Sequence, residues 1–155
     1  MPALESNLAD QVFTTSDVSR IAQISLRQLQ WWDERKVVSP RKEEHKRLYL
    51  PAELIEIMVV AELRRKGLSL QKIRRVLRPL QRRIGTRLNK IVSSKFSLYL
   101  LTNGKSIYLE EGQEGVIDLL QNAREPMWLV CVSDQVKRLA SEKGAGRSEK
   151  QLALF

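Results

Sequence analysis

Nine consecutive residues, Ser25-Leu26-Arg27-Gln28-Leu29-Gln30-Trp31-Trp32-Asp33, set the terms for the whole chain. At helical spacing Leu26 and Leu29 point one way, while Arg27, Gln28, Gln30 and Trp31 cover the remaining surface. Those residue types read nucleic acid: Arg forks onto guanine, Gln pairs bidentately with adenine, and Trp lays a ring and an indole N–H against the sugar-phosphate wall. Ser25 is an N-cap for this helix. Upstream, Phe13-Thr14-Thr15-Ser16 supplies a short extended lead-in and another N-cap, and Val18, Ile21 and Ala22 follow at helical spacing. The spacing predicts a first helix over 16–22 and a second from Ser25, joined by the tight turn at Gln23-Ile24.

Val37-Val38-Ser39-Pro40 ends the second helix. The stretch Arg41 to Tyr49 reads as a polar loop closing on an extended piece, a small two-stranded wing. Arg41, Lys42, Lys46 and Arg47 are placed to straddle a phosphate or enter a minor groove, with Glu43 and Glu44 at the tip opposing that contact. His45, the single histidine, reads as a solvated loop residue. Pro51 suits the first position of a helix that Leu54, Ile55, Met58, Val59 and Leu63 carry to Lys66, where Gly67 stops it. Ser69 caps a fourth helix with Leu70, Ile73, Val76 and Leu77 as its core stripe and Arg74, Arg75 and Arg78 off it. The turn from Lys66 to Ser69, with Lys72 beyond, is a candidate phosphate contact at a helix N-terminus.

Charge is unevenly distributed along a chain whose net charge is +9. Residues 1–62 hold 8 Lys/Arg against 10 Asp/Glu, residues 63–109 hold 13 Lys/Arg and no acid, and residues 110–134 hold 6 acids and one Arg. A long acid-free basic block beside a candidate reading helix suggests a surface that tracks phosphates. No apolar run is long enough to cross a bilayer, and Met1 to Asp10 lacks the pattern of a signal peptide, so a cytoplasmic location is expected. The single Cys131 makes no internal disulfide, and with His45 alone beside it builds no multi-ligand metal site. The sequence contains no nucleophile with a base at motif spacing and no glycine-rich phosphate loop, so neither enzymatic activity nor a cofactor is expected.

Beyond Pro79, the residues Leu80, Ile84, Leu88, Ile91 and Val92 predict a basic amphipathic connecting helix over 79–94. Its apolar face needs cover, from the C-terminal module of the same chain or from a second copy; spacing does not choose between them. Phe96 to Leu101 and Ser106 to Leu109 are strand-like runs around Asn103-Gly104, a two-residue hairpin signal in which both positions adopt positive φ. Val116 to Leu120 suggests a short helix, Met127 to Val132 a buried strand with Cys131 as core filler, and Ser133 the cap of a last helix through Ala140. The fold class is therefore α+β: a mostly helical N-terminal half with a small wing, followed by a ββαβα module over 95–142. Residues 1–12 read as a loose leader and 143–155 as a flexible tail.

Residues 13–78 resemble the winged helix-turn-helix DNA-binding domain of MerR-family transcriptional regulators. The resemblance runs through Phe13-Thr14, Ser25-Leu26-Arg27-Gln28-Leu29, Trp31-Trp32-Asp33, Pro40, Arg47-Leu48-Tyr49 and Leu63 to Ile73. It implies transcriptional regulation through double-stranded DNA. By that resemblance Arg27 and Trp31 would contact DNA from the reading helix, Arg47 and Tyr49 from the wing, and the turn from Lys66 to Lys72 would hold backbone phosphates; Thr15, Ser16, Ser25, Gln28, Gln30, Arg41, Lys42 and Lys46 are further candidate contacts by residue type and position. It also implies a homodimer, here through residues 79–94 or the C-terminal module. The sequence departs from the family where Gln30 stands for the usual Arg, Trp31 and Trp32 for tyrosines and Lys36 for Gly. It departs again after Arg78, where the family's long dimerisation helix is cut short by a hairpin.

The last five residues, Gln151-Leu152-Ala153-Leu154-Phe155, resemble the sliding-clamp-binding pentapeptide of bacterial replication and repair proteins. That resemblance implies an alternative role, a DNA-tethered adaptor for the replication clamp. Gln151 would then lie at a pocket rim and Leu152, Leu154 and Phe155 in apolar pockets.

Overall fold

The eight residues Leu54 to Ala61 are all buried, and they form the middle of the longest described helix, Pro51–Arg65. Elements from both halves of the chain cover them in this computed structural model, which describes residues 11–35, 37, 41–43, 46–75, 77, 78, 97–142, 146 and 147. In chain order the elements are β1 (Gln11–Thr14), α1 (Thr15–Ala22), α2 (Leu26–Glu34), β2 (Arg41–Glu43), β3 (Lys46–Tyr49), α3 (Pro51–Arg65) and α4 (70–75, with 77 and 78). There follow β4 (Leu98–Thr102), β5 (Ile107–Glu111), α5 (Gln113–Asn122), β6 (Trp128–Cys131), α6 (Val132–Ala140) and β7 (Gly146–Arg147).

Local chemistry fixes the helix ends. Thr14 and Asp17 form a reciprocal capping box: the Asp17 amide donates to Thr14 Oγ1 at 3.2 Å and the Thr14 amide to Asp17 Oδ2 at 3.0 Å. The helix therefore starts at Thr15, one residue before the position that sequence spacing suggests. Gln23 turns the chain with φ 58°, and the Ser19 hydroxyl donates to the Ile24 carbonyl at 2.5 Å, pinning the short connection to α2. Ser25 caps α2 as expected, its Oγ accepting from the Gln28 amide at 3.0 Å. Pro51 occupies the first turn of α3, where Glu53 accepts from the Leu50 amide at 2.8 Å. At the other end Gly67, at φ +101°, donates to the Arg64 carbonyl and Leu68 to the Leu63 carbonyl, each at 3.0 Å. This is a Schellman ending, with Leu63 and Leu68 both buried.

The wing is present with register Arg41↔Leu48, Lys42↔Arg47 and Glu43↔Lys46. It belongs to a larger sheet of order β2-β3-β1-β7. The lead-in strand β1 pairs with β3 through Phe13↔Tyr49 and Thr14↔Leu48, and β7 lies against the other edge of β1 through Gln11↔Arg147 and Val12↔Gly146. Gly146 and Arg147, expected in a flexible tail, thus meet the backbone groups that β1 would otherwise leave open. The connecting helix expected over 79–94 lies outside the described residues.

The C-terminal module has the expected ββαβα order, with sheet order β5-β4-β6. Three details differ from the sequence reading. The hairpin loop is the four residues 103–106, and Gly104 alone has positive φ, +91°. Asn103 keeps an ordinary backbone because its Oδ1 accepts from the amides of Lys105 (2.9 Å) and Ser106 (2.8 Å), while Thr102 Oγ1 accepts from Gly104. Ser133 is not a cap: α6 starts at Val132, and the buried Ser133 Oγ accepts from the Leu98 amide at 3.1 Å, tying α6 to β4. In β6 only Val130 is buried; Cys131 is half-buried, its Sγ 3.4 Å from Ser133 Oγ, so it is not a core filler.

One apolar cluster runs through both halves of the chain, joining Phe13, Leu29, Trp32 and Tyr49 to Val130, Val132, Val136 and Leu139 by way of α3. Packing is reinforced at the turn after α3, where the Trp128 indole N–H donates to the Lys66 carbonyl at 3.0 Å and Gly104 sits against the stem of Lys72. A Cβ at Gly104 would lie 2.8 Å from Lys72 Cδ, whereas one at Gly67 would meet nothing within 4 Å.

Two outcomes follow. Because both glycines have positive φ, Gly67→Ala and Gly104→Ala are each expected to cost about 1–2 kcal/mol in urea unfolding, the flexible lysine stem adding little at the second. Trp128→Phe removes the donor to Lys66 together with part of the ring's apolar contact, and is expected to cost about 1–2 kcal/mol, read in the same assay.

Candidate nucleic-acid interface

A helix of nine residues holds its outward side chains still only if its inner face is anchored. In α2 the anchors are Leu29 and Trp32, each 1% exposed. Leu26, expected to join Leu29 inside, is 51% exposed. The helix is rotated toward Trp32 instead, which removes more apolar surface from water than a buried leucine at its first turn would.

That rotation leaves Arg27, Gln30, Trp31, Glu34 and Arg35 exposed, at successive spacings of three, one, three and one, along a single side. Trp31 is 41% exposed although it is adjacent to the fully buried Trp32. Gln30 Nε2 donates to Glu34 Oε1 at 3.2 Å, which orients the amide and occupies one of its two N–H donors. The Arg35 guanidinium carbon lies 4.2 Å from the centroid of the Trp31 ring. Arg35 was not among the residues singled out from the sequence; the signal was there in the i, i+4 spacing of an aromatic and an arginine on one helix.

The other expected contacts divide. Ser16 is exposed and Thr15 half-buried at the start of α1, and Gln28 is half-buried beneath the outward stripe. Ser25 is exposed, with its hydroxyl oxygen engaged by the Gln28 amide. Arg41, Lys42, Lys46 and Arg47 fall on the two wing strands. Tyr49 does not share this surface: it is 1% exposed, paired with Phe13 and part of the apolar cluster. Lys66 and Lys72 are exposed on either side of Gly67. Lys66 Nζ stands 3.6 Å from Glu62 Oε1, and its carbonyl is the one bound by Trp128. Gln151, Leu152, Leu154 and Phe155 lie outside the described residues.

Helix α1, on which α2 packs, is held in turn from the second half of the chain. Arg138 on α6 donates to the Ile21 carbonyl at the end of α1. Arg20 Nη1 meets Glu142 Oε2 at 2.8 Å, a contact that raises the already high pKa of the guanidinium, chiefly by this hydrogen bond. Beyond α2, the exposed cations include Arg64, Arg65, Lys72, Arg74, Arg75, Arg78 and Lys105. Among the described residues no three His, Cys, Asp or Glu side chains come together as a metal site, and no helix is long and apolar enough to cross a membrane.

Comparison with known proteins bears on the same stretch. No curated protein matches the chain. The family model described as "MerR HTH family regulatory protein" matches residues 13–80, from the buried Phe13 of β1 through α4. A capped helix pair with an outward polar stripe, a wing and the Gly67 turn all fall inside that span, and the segment 13–80 is accordingly a MerR-family helix-turn-helix.

Proposed function

We propose that the protein binds duplex DNA sequence-specifically and regulates transcription, with α2 in the major groove and the wing on the flanking backbone. The observation that carries this reading is the outward presentation of Arg27, Gln30 and Trp31 on a helix anchored from beneath by Leu29 and Trp32. Burying those outward side chains in an intramolecular core would have removed the case for recognition. Arg27 supplies two parallel donors for the acceptor pair of guanine, and Gln30, oriented by Glu34, retains an acceptor and a donor for a base edge. The MerR-family assignment of 13–80 supports the same reading independently of charge.

Net charge alone does not make a specific binder. A chain with 27 Lys/Arg associates with any duplex by releasing counterions, so affinity by itself does not separate the two cases. Specificity has to come from the reading helix. A second copy, associating through 79–94 or the C-terminal module, would present two such helices to a palindromic site.

The test starts from a duplex selected by the protein out of a randomised pool, compared with a scrambled duplex of equal length. Arg27→Ala is expected to weaken the selected duplex by about 1–3 kcal/mol, roughly 5- to 150-fold, and to leave the scrambled duplex within a small factor. An unchanged preference in that variant would remove the reading helix from the account.

A further inference from the structure

The outward stripe of α2 ends in a group that neither the sequence motif nor the family resemblance singles out. We propose that Arg35, held against the ring of Trp31, is a preformed contact for a backbone phosphate at the C-terminal end of the reading helix, with Trp31 as its positioning residue. This inference rests on the proposed mode of DNA binding and adds the chemistry of one further contact.

Three observations carry it. The first is geometric: the guanidinium carbon lies over the Trp31 ring, 4.2 Å from the indole centroid, so the cation is held against the ring's π face. A guanidinium carries five N–H donors in a planar fork, more than one ring face can engage, so contact with the indole leaves donors for a phosphate. The second is that Arg35 is exposed and its guanidinium makes no hydrogen bond or ion pair with another described residue, so those donors face water. The third is where it sits. Arg35 is the C-cap of α2, its amide donating to the Trp31 carbonyl at 3.1 Å, and the preceding residue is the exposed Glu34. A helix end carries partial negative charge, and with a carboxylate beside it this end of α2 would repel the phosphates of a groove it enters. A cation fixed at that point offsets this charge where a phosphate would approach. Stacking also fixes side-chain torsions before binding, which lowers the ordering cost on association. Lysine in its place would keep the charge and lose the planar fork.

The experiment measures dissociation constants of wild type, Arg35→Ala, Arg35→Lys and Trp31→Leu on the selected and scrambled duplexes over a salt series. Urea midpoints confirm that each variant is folded, and acrylamide quenching of tryptophan fluorescence reads the stack in the free protein. Arg35→Ala is expected to weaken both duplexes by the same factor, to reduce the slope of log K against log salt by about 0.9, the value of one phosphate, and to increase quenching. Arg35→Lys should keep most of the slope while losing affinity, and Trp31→Leu should weaken both duplexes with the charge still present. An Arg35→Ala variant with unchanged slope, or with a loss confined to the selected duplex, overturns the phosphate assignment while leaving the reading helix in place. Quenching that does not respond to Arg35→Ala overturns the stack. Wild-type protein that does not distinguish the two duplexes overturns the mode of binding on which the inference stands.

Discussion

The structure depends on covering α3. A helix with apolar side chains on one stripe can lie on a surface, but one buried continuously from Leu54 to Ala61 has to be enclosed. Helix α1 and strand β1 approach it from the N-terminal half, and β6 and α6 from the C-terminal half. Each large side chain left bare would cost about 1.5–3 kcal/mol, so exposing three of them would remove roughly 4.5–9 kcal/mol, a large part of an ordinary stability of about 5–15 kcal/mol. The ββαβα module is therefore part of what keeps the helix-turn-helix folded. Its polar contacts fall on the same support: Arg138 on the Ile21 carbonyl, Glu142 on Arg20 and Trp128 on the Lys66 carbonyl.

With α3 enclosed, the geometry of α2 follows. Trp32 and Leu29 are inserted into the shared core, and a helix of nine residues pinned at two points has one free side. The residues on that side are polar, cationic or aromatic, and they interact with one another before any ligand is present. Gln30 is oriented by Glu34, and Arg35 is held by Trp31. The free helix thus presents side chains with part of their conformational freedom already removed, which favours a defined partner over a merely anionic one.

What was legible in the sequence was what local chemistry decides. Ser25, Pro51 and Gly67 mark helix ends because a cap, a missing N–H or a left-handed residue acts within one turn, and each marks the end expected of it. The alternation of apolar positions gave the ββαβα order for the same reason. The remainder depended on partners far away in sequence. Nothing near Gln11–Thr14 announces that it will pair with β3 and β7, and Tyr49 is buried because that pairing sets it opposite Phe13. Leu26 is exposed because Trp32, six residues on, takes the buried side. Ser133 has the composition of a cap, yet its hydroxyl serves the amide of Leu98 across the module. At Asn103-Gly104 the position of the turn was correct and its type was not, since side chains of Thr102 and Asn103 supply bonds that a two-residue turn would take from its backbone.

The three tryptophans allow the account to be tested in one titration, because the core and the proposed interface each hold at least one of them. Duplex DNA of the selected sequence, added to isotopically labelled protein, should shift the indole N–H resonance of the half-exposed Trp31 and leave that of the enclosed Trp32 nearly unmoved, with the backbone amides of Arg27, Gln30 and Arg35 moving alongside Trp31. Trp128, bonded to the Lys66 carbonyl, should respond weakly. A titration in which Trp31 and Arg27 stay in place while resonances of α5 or of the C-terminal sheet move would contradict the account, and would put the DNA on another face of the protein.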